Sequence, residues 1–324
     1  MGKRSKPRAG SLQFKPRKRA KKETPRIRHW QSSKEVKPLG FASYKAGMTH
    51  VIVKDNRKHS RTAGLDVFTA ATILEVPPLL VAGIRAYYAG YGGKKTLSDV
   101  FAIDDKNNRI DIGKVDKTLK ETENKLNEIS DITLIVHTQP KLIHIGKKAP
   151  DIMEVALGGN LQEKFKYAKE KLGKEISINE AFNEKSFIDV HSVTKGKGFQ
   201  GVIKRHGTII LPRKSGKGIR HTGTGGAWNP ARKLWKHPLP GQLGYHTRTE
   251  YNKIVLKIGS KPEEVNPDGG FLKYGMLKNN YVILKGSVSG PTKRLVRLTP
   301  PRRKPHGKDD ANFDVIQISL ESKQ

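Results

Sequence analysis

The longest acid-free stretch of the chain is the feature that most limits what it can fold into. Residues 190–249 contain no aspartate or glutamate, yet they carry 12 lysine and arginine residues and 5 histidines. A protein surface normally mixes charges of both signs, because this lowers its self-repulsion. A stretch of one sign and this length indicates a polyanionic partner.

Two further basic runs lie outside this stretch, on either side of a near-neutral region. Residues 1–28 hold 12 lysines and arginines against one acid, and residues 291–308 hold seven and no acid. Residues 99–189 are balanced, with 17 acidic and 15 basic residues, although the whole chain has a formal net charge of +33. For a single basic run, a solvated face or a disordered tail is about as good an explanation as a polyanionic partner. Three acid-free runs, at 1–22, 190–249 and 291–308, favour a phosphate backbone as the partner.

Composition excludes several classes of protein. The 324 residues are 35% hydrophobic, which is enough for roughly two domains. The absence of cysteine excludes disulfides and cysteine-ligated zinc, and it fits an intracellular location. The N-terminus is basic with no apolar stretch after it, so we expect no secretory signal. The most apolar run, Leu74 to Ile84, is short and broken by Pro77 and Pro78, so we expect no membrane span. The basic segments contain no amphipathic helix with aromatic anchors, which argues against a membrane surface as partner.

Apolar periodicity predicts a mainly β fold that contains an α/β insertion. Residues 40–55 are predicted as strand–turn–strand, and the following strands as interrupted at the two prolines. Residues 161–172 place apolar side chains on one helical face, with Gly173 as the stop, and residues 178–182 suggest a second short helix. The remaining predicted strands are 132–138, 187–196, 199–207, 251–259, 281–288 and 314–320.

These elements and the charge runs together predict the organisation of the chain. Residues 1–35 form an extended basic arm that becomes ordered on a partner, since they lack apolar periodicity. Residues 36–89 and 186–324 form the β core, and residues 90–185 form the α/β insertion. Within the core, residues 208–249 form a long basic loop, which we interpret as a functional excursion that a partner orders.

The motifs that suggest enzymatic chemistry are weak. GKGFQG at 196–201 matches a dinucleotide-binding pattern, but the next segment is predicted to be a strand and no acid follows before Glu250. GGKKT at 92–96 lacks the leading glycine and the ending of a phosphate-binding loop. The histidines have no metal-ligand spacing, and no acid is present in the basic stretch for acid–base catalysis. We therefore predict no catalytic residue, no metal and no cofactor.

Residues 205–248 are typical of an RNA-binding segment. Glycines allow close approach of the backbone to another polymer, and arginine and lysine bind phosphates. Trp228, Trp235 and Tyr245 offer flat faces on which bases can stack. For Trp235 we favour packing within the protein. Trp228 lies between a glycine pair and Asn229-Pro230, where little core is available, so we favour contact with RNA.

At this point the sequence resembles a known family, the large-subunit ribosomal protein L-three in its archaeal and eukaryotic form. The resemblance runs nearly the full length and is carried by segments that occur in the same order. These are GSLQFKPRKRA (10–20), GFASYKAGMTH (40–50), KGKGFQGVIKRHG (195–207), LPRKSGKGIRHTGTGGAWNPA (211–231) and GQLGYHTRT (241–249).

The resemblance implies a six-stranded β-barrel of the translation-protein type with an inserted α/β subdomain, an extended N-terminal arm and a long internal loop. It also implies binding to 23S-type ribosomal RNA, a role in early assembly of the large subunit, and no catalysis. In the family the tryptophan of GAWNP approaches the peptidyl transferase centre, and the resemblance implies the same position for Trp228. Eukaryotic members carry a methylated histidine where this chain has Gly216, so that modification is not carried over. The short C-terminus favours an archaeal member.

From the residues and the resemblance together we predict a set of RNA-binding side chains. The partners implied are large-subunit rRNA and neighbouring large-subunit proteins in the cytoplasm, with no membrane and no small-molecule substrate. An RNA-modifying enzyme with a basic platform and a general nucleic-acid compaction protein remain the alternatives. The predicted RNA-binding residues are Arg17, Lys18, Arg19, Lys195, Lys197, Lys204, Arg205, His206, Arg213, Lys214, Lys217, Arg220, His221, Trp228, Arg232, Lys233, His246 and Arg248.

Overall fold

The structure is a computed structural model, and it divides into two compact units. The first, here called the arm-and-loop unit, comprises residues 10–23 and 193–248, and the second, the core unit, comprises residues 24–192 and 249–321. Parts of the predicted basic runs, residues 1–9 and 304–308, lie outside the residues that the structure describes. The structure describes residues 10–57, 60–102, 112–143, 145–223, 225–226, 228–229, 231–303 and 311–321.

Strands dominate the described part of the chain, which confirms the mainly β prediction. In chain order the strands are β1 (Phe41–Asp55), β2 (Asp66–Glu75), β3 (Leu79–Gly90), β4 (Gly93–Phe101), β5 (Ile129–His137), β6 (Ile152–Ala156), β7 (Glu175–Ile176), β8 (Phe187–Val193), β9 (Phe199–Gln200), β10 (Gly241–Gln242), β11 (Thr247–Gly259), β12 (Tyr281–Lys285), β13 (Leu295–Thr299) and β14 (Phe313–Ile318). The α-helices are α1 (Ile112–Asn124), α2 (Leu161–Lys171), α3 (Ile178–Ala181) and α4 (Val202–His206), and there are 3₁₀ turns at Leu12–Phe14, Pro140–Leu142 and Pro262–Glu264.

The larger sheet of the core unit has seven strands in the order β13-β8-β11-β12-β2-β1-β14, and β13 also pairs with β1. The long strand β1 makes this possible, because two strands share one of its edges. Its first residues pair with β13, with Phe41 opposite Leu298, and its last residues pair with β14, with Val51 opposite Ile318. The pairings of β1, β2, β12, β11, β8 and β13 consequently run in a closed circuit.

Strand β1 corrects one prediction. Residues 40–55 form a single strand of 15 residues rather than strand–turn–strand. The strand is interrupted only by a bulge, where the register with β2 shifts between Lys45 and Gly47. A Cβ at Gly47 would lie 2.6 Å from the ring of Phe271, so the glycine is needed for close packing and not for a chain reversal.

A smaller sheet in the core unit has the strand order β4-β3-β5-β6, with β7 paired to β3. Pro77 and Pro78 separate β2 from β3 and lie where one sheet ends and the other begins, since a proline pair has no backbone N–H to donate to a strand ladder. Strand β3 begins at Leu79, ahead of the predicted insertion boundary at residue 90. The predicted domain boundaries themselves stay a prediction.

The two helices predicted for the insertion are confirmed as α2 and α3. Helix α2 buries Phe165 and Ala168 against β5, and Gly173 follows its end with a φ of +74°, in the left-handed conformation of a helix stop. At its start, the Asn160 backbone N–H donates to the carboxylate of Glu163 at 3.2 Å. None of the helices formed by the described residues is long and apolar enough to cross a membrane.

The arm-and-loop unit contains little regular structure. Strands β9 and β10 form a two-stranded sheet, and helix α4 lies between them in the chain. Helix α4 corrects the prediction of a strand over 199–207. Gly207 ends it with a φ of +68° and donates its N–H to the carbonyl oxygen of Ile203 at 2.8 Å. The GKGFQG motif thus does precede a helix, but the helix has only 5 residues and no acid accompanies it.

Candidate RNA interface

The basic N-terminal arm lies along the segments that begin and end the basic loop. The backbone N–H of Ala20 donates to the carbonyl oxygen of Tyr245 at 2.8 Å. The imidazole Nδ1 of His246 lies 2.9 Å from the carbonyl oxygen of Lys18. Since a carbonyl can only accept, this ring nitrogen carries the proton. Residues 18–20 are therefore fixed to residues 245–246 by hydrogen bonds, although more than 220 positions separate them in the sequence.

Arg205 organises the interior of the arm-and-loop unit. Its guanidinium donates to the carbonyl oxygens of Leu239 at 2.7 Å, Gln242 at 3.0 Å and Arg17 at 3.0 Å. The guanidinium of Arg17 in turn donates to the carbonyl oxygen of Arg205. Burial and the charge of Arg17 lower the pKa of Arg205. Both were predicted as RNA-binding residues, and the structure occupies the donors of Arg205 with protein carbonyls.

Two glycines make this arrangement possible. A Cβ at Gly241 would lie 3.2 Å from the guanidinium of Arg205, and the φ of Gly241 is +152°. A Cβ at Gly244 would lie 2.2 Å from the carbonyl oxygen of Lys195, and the φ of Gly244 is +73°. An alanine at position 244 would combine a backbone clash with a strained conformation. The sequence contained these residues only as members of a glycine-rich stretch.

Two of the predicted RNA-binding histidines are shielded from solvent to different extents, since His246 is buried and His206 is half-buried. His246 is 6% exposed, and burial lowers its pKa. Burial, together with the charges of Arg17, Arg205 and Lys15, lowers the pKa of His206 to about 4. Both imidazoles are therefore expected to be neutral at pH 7, and neither offers a positive charge to a phosphate.

Most of the other predicted residues lie on the surface of the arm-and-loop unit. His221, Arg248 and the two residues Arg17 and Arg205 are half-buried. Residues 190–249 contain no acid, so no carboxylate from that stretch can neutralise these cations. The exposed residues are Lys18, Arg19, Lys195, Lys197, Lys204, Arg213, Lys214, Lys217, Arg220, Trp228, Arg232 and Lys233.

Aromatic rings support two of the arginines. The guanidinium carbon of Arg19 lies 5.1 Å from the centre of the Tyr245 ring, and that of Arg248 lies 4.9 Å from the centre of the Phe14 ring. A guanidinium held over an aromatic ring in this way can still donate N–H groups to a phosphate. The Tyr245 ring is thereby covered on one side by Arg19, which leaves less of it for base stacking than the sequence suggested.

The basic loop has no hydrophobic core among its described residues. No described apolar side chain between Val202 and Val255 is buried. Trp228 is 90% exposed, in agreement with the prediction that it does not pack. Trp235 is 59% exposed, so the prediction that it packs within the protein is wrong. Among the residues the structure describes, backbone hydrogen bonds such as that from Leu211 N–H to the carbonyl oxygen of Ile219 hold the loop together rather than apolar burial.

One contributor was missed by the sequence analysis. The ammonium group of Lys15 donates to the carbonyl oxygens of Trp235 at 3.0 Å and Lys236 at 3.2 Å. It thereby ties the N-terminal arm to the C-terminal part of the basic loop. No signal in the sequence distinguishes Lys15 from the basic residues around it. Only the position of its carbonyl partners does so.

The described residues contain no group of three or more histidine, aspartate or glutamate side chains that could hold a metal ion. What the arm-and-loop unit offers is a dense set of exposed cations, with exposed aromatic and aliphatic side chains between them. This combination suits a single-stranded or irregular nucleic acid, whose phosphates bind the cations and whose unpaired bases stack on the rings.

Comparison with known proteins identifies relatives over the full length. The family model described as "Ribosomal protein L3" matches residues 1–322. A protein named "Large ribosomal subunit protein uL3" from Methanobrevibacter smithii is 48% identical over 330 residues, which cover 98% of each chain. Proteins of the same name from Methanothermobacter thermautotrophicus, at 46% identity over 100% of this chain and 99% of its relative, and Archaeoglobus fulgidus, at 45% over 98% of each, are also similar.

Proposed function

Since this chain belongs to the ribosomal protein L3 family, we propose that it is a structural constituent of the large ribosomal subunit that binds 23S-type rRNA through its arm-and-loop unit. Archaeal relatives cover nearly its whole length, and their names place them in the large subunit. A constituent of that subunit works in the cytoplasm, where ribosomes translate. The expected partners are large-subunit rRNA and neighbouring ribosomal proteins.

One observation carries the proposal: twelve of the predicted RNA-binding residues are exposed on a unit whose loop, as far as it is described, buries no apolar side chain. Eleven of the twelve are lysine or arginine, and repulsion among these cations opposes the folded form of the loop in isolation. A phosphate backbone would remove that repulsion and would release counterions on binding. The inward residues such as Arg205 and His246 hold the base of the loop in place, while the outward residues meet the RNA.

The finer features follow from the family. We propose that the closed strand circuit of the core unit is the six-stranded barrel, with the smaller sheet and helices α1 to α3 as the inserted α/β subdomain. We also propose that the loop reaches the peptidyl transferase centre with Trp228 near its tip, and that early binding supports assembly. The exposure of Trp228 and the absence of a core in the described part of the loop support this placement.

Catalysis is not part of the proposed function. The relatives are named as ribosomal proteins and not as enzymes. An RNA-modifying enzyme would need an acid–base pair or a cofactor site beside the RNA, and residues 190–249 contain no acid.

Salt-dependent binding tests the proposal. The full chain should bind a large-subunit RNA fragment with an affinity that falls by about 0.7 log units per log unit of salt for each phosphate contact. The R213Q/K214Q/K217Q variant should lower that slope by about 2. K125Q/K166Q/K174Q is the matched control, because it removes three exposed lysines from the α/β insertion. Equal slopes for the two variants would refute the assignment, and equal affinity for duplex DNA would favour a general compaction protein.

A further inference from the structure

A cavity of about 210 Å³ in the core unit lies outside the interface described above. Residues 26–31 form one wall, and residues of β8, of the start of β11 and of the end of β13 with the segment after it form the rest. Two basic runs that are about 270 positions apart in the sequence meet here, since Arg26 and Arg28 come from the N-terminal arm and Arg302 follows β13. Both runs are evident in the sequence, but only the fold shows that they lie beside each other.

The floor of this cavity contains two side chains, Asp189 and His191, that are hydrogen-bonded within the protein. The Asp189 carboxylate is 1% exposed and accepts the backbone N–H groups of Asn252 at 2.9 Å and Arg302 at 2.8 Å. The imidazole of His191 lies between the hydroxyl groups of Thr249 at 2.9 Å and Thr299 at 3.0 Å. Both side chains thus have hydrogen-bond partners within the protein, so the floor does not itself need a ligand.

The wall formed by residues 26–31 is held to the rest of the core unit by Arg297, which is 5% exposed. Its guanidinium donates to the carbonyl oxygens of Pro25, at 3.0 Å, and Glu154. It also lies 5.7 Å from the centre of the Trp30 ring. A Cβ at Gly40 would lie 2.9 Å from the same ring, so the Trp30 ring also packs closely against Gly40. The wall is therefore positioned before any ligand arrives.

The rim of the cavity is cationic. Arg26, Arg28 and Arg302 are exposed, and their side chains make no hydrogen bond or ion pair within the described part of the chain. Asp189 is the one acid among the lining residues, and it is buried beneath the rim. Three exposed guanidinium groups around a concave site suit a phosphate, which they can bind through paired hydrogen bonds.

An aromatic side chain completes the site. Tyr251 also lines the cavity and is 50% exposed, so part of its ring is available to a ligand. A phosphate alone would leave this ring unused. A nucleotide would use both features, because its phosphate binds the arginines while its base stacks on the ring.

We propose that this cavity binds one unstacked nucleotide of RNA, with the phosphate among Arg26, Arg28 and Arg302 and the base against Tyr251. The proposal rests on the proposed function, because it assumes that the chain meets RNA. It adds a contact on the core unit to those of the arm-and-loop unit. An isolated acidic peptide would satisfy the arginines but would gain nothing from the tyrosine ring.

Photocrosslinking of the full chain tests this assignment. A large-subunit RNA fragment that contains 4-thiouridine should crosslink both to the peptide that carries Tyr251 and to the peptide that carries Trp228. In R26Q/R28Q/R302Q the crosslink to the Tyr251 peptide should fall at least tenfold while that to the Trp228 peptide stays within twofold. K125Q/K166Q/K174Q, which removes the same charge from the α/β insertion, should keep both crosslinks. An unchanged thermal unfolding midpoint shows that each variant is folded.

The outcomes separate this proposal from the proposed function. Crosslinks at Trp228 with none at Tyr251 would overturn the cavity assignment alone, whereas no crosslinks at either peptide would overturn both. Y251L, a second variant that keeps every charge, should lower the crosslink at the cavity at least fivefold. Uridine monophosphate should compete for the cavity crosslink more strongly than inorganic phosphate. Equal competition by the two, or stronger competition by polyglutamate, would contradict base recognition by Tyr251.

Discussion

Arg17 and Arg205 each donate a guanidinium hydrogen bond to the backbone carbonyl oxygen of the other, although 188 positions separate them. Two like charges in contact repel, and here the repulsion is offset because both cations bind carbonyl dipoles. This reciprocal pair connects the N-terminal arm to helix α4 at the base of the basic loop. The pair shows that some basic residues bind the chain's own carbonyl oxygens, whereas others that look alike in the sequence face solvent.

Removal of the Arg205 side chain should loosen the arm-and-loop unit. In R205A the carbonyl oxygens of Leu239, Gln242 and Arg17 lose their charged donor, and hydrogen bonds of this kind contribute about 1.5–3 kcal/mol each. Amide hydrogen exchange of residues 17–20 and 239–246 should accelerate at least tenfold, with no change in the core unit. R205K should behave similarly, since one ammonium group cannot reach three separated carbonyls.

The exposed Arg213 provides the control for that experiment. R213A should leave amide exchange unchanged and should weaken RNA binding, because its side chain faces solvent. If both variants changed exchange to the same extent, the division into inward and outward cations would be wrong.

Gly244 should tolerate no side chain. G244A places a methyl group 2.2 Å from the carbonyl oxygen of Lys195 at a φ of +73°, and the left-handed conformation alone costs about 1–2 kcal/mol. The segment around residues 195–200 should open more often, which limited proteolysis would detect as faster cleavage. G216A is the control, because a Cβ at Gly216 would meet nothing within 4 Å. Resistance of G244A equal to that of G216A would contradict the geometry.

His206 should titrate well below an ordinary histidine. Its folded-state pKa is about 4, whereas the unfolded chain should titrate near the usual 6.5. Between these values the unfolded chain binds a proton that the folded unit does not bind. The stability that His206 contributes is therefore present above about pH 6.5 and is lost as the pH falls toward 4. Imidazole chemical shifts followed by NMR would measure the pKa directly, and a midpoint near 6.5 would refute the assignment.

The same reasoning gives an expected result for a His206 variant. H206Q cannot take up the proton, so amide exchange in the arm-and-loop unit should vary less between pH 7 and pH 5 than in the unaltered chain. The exposed Lys204, two positions earlier, provides the control, because K204Q should keep the pH dependence.

Trp228 should matter for RNA and not for the isolated protein. W228L removes a side chain that is 90% exposed, so the thermal unfolding midpoint should not change. In the unaltered chain, the fluorescence of Trp228 should be that of a solvated indole when the protein is free, and it should shift or be quenched when RNA binds. W235L, at 59% exposure, is the comparison within the same loop. A lower unfolding midpoint for W228L would show that Trp228 packs within the protein.

The positions of the strands could largely be predicted from the sequence, because alternation and β-branched residues act locally. Strands β5, β12 and β14 and helices α2 and α3 lie where periodicity indicated. The errors arose where a local pattern has two interpretations. Gly47 fits a turn or a bulge, and the VIKRH segment fits a strand or a short helix ended by Gly207.

The sequence alone determined that this chain must meet a polyanion, because the acid-free run of residues 190–249 cannot neutralise its own charge in any fold. It could not determine which of those cations face outward. The tertiary structure decided that Arg205 and His246 bind the chain's own carbonyl oxygens, and that residues 26–31 and Arg302 line one cavity. Charge is a property of composition and can be read directly. The partner of each charge depends on backbone groups that are distant in the sequence, and only folding brings them within hydrogen-bonding distance.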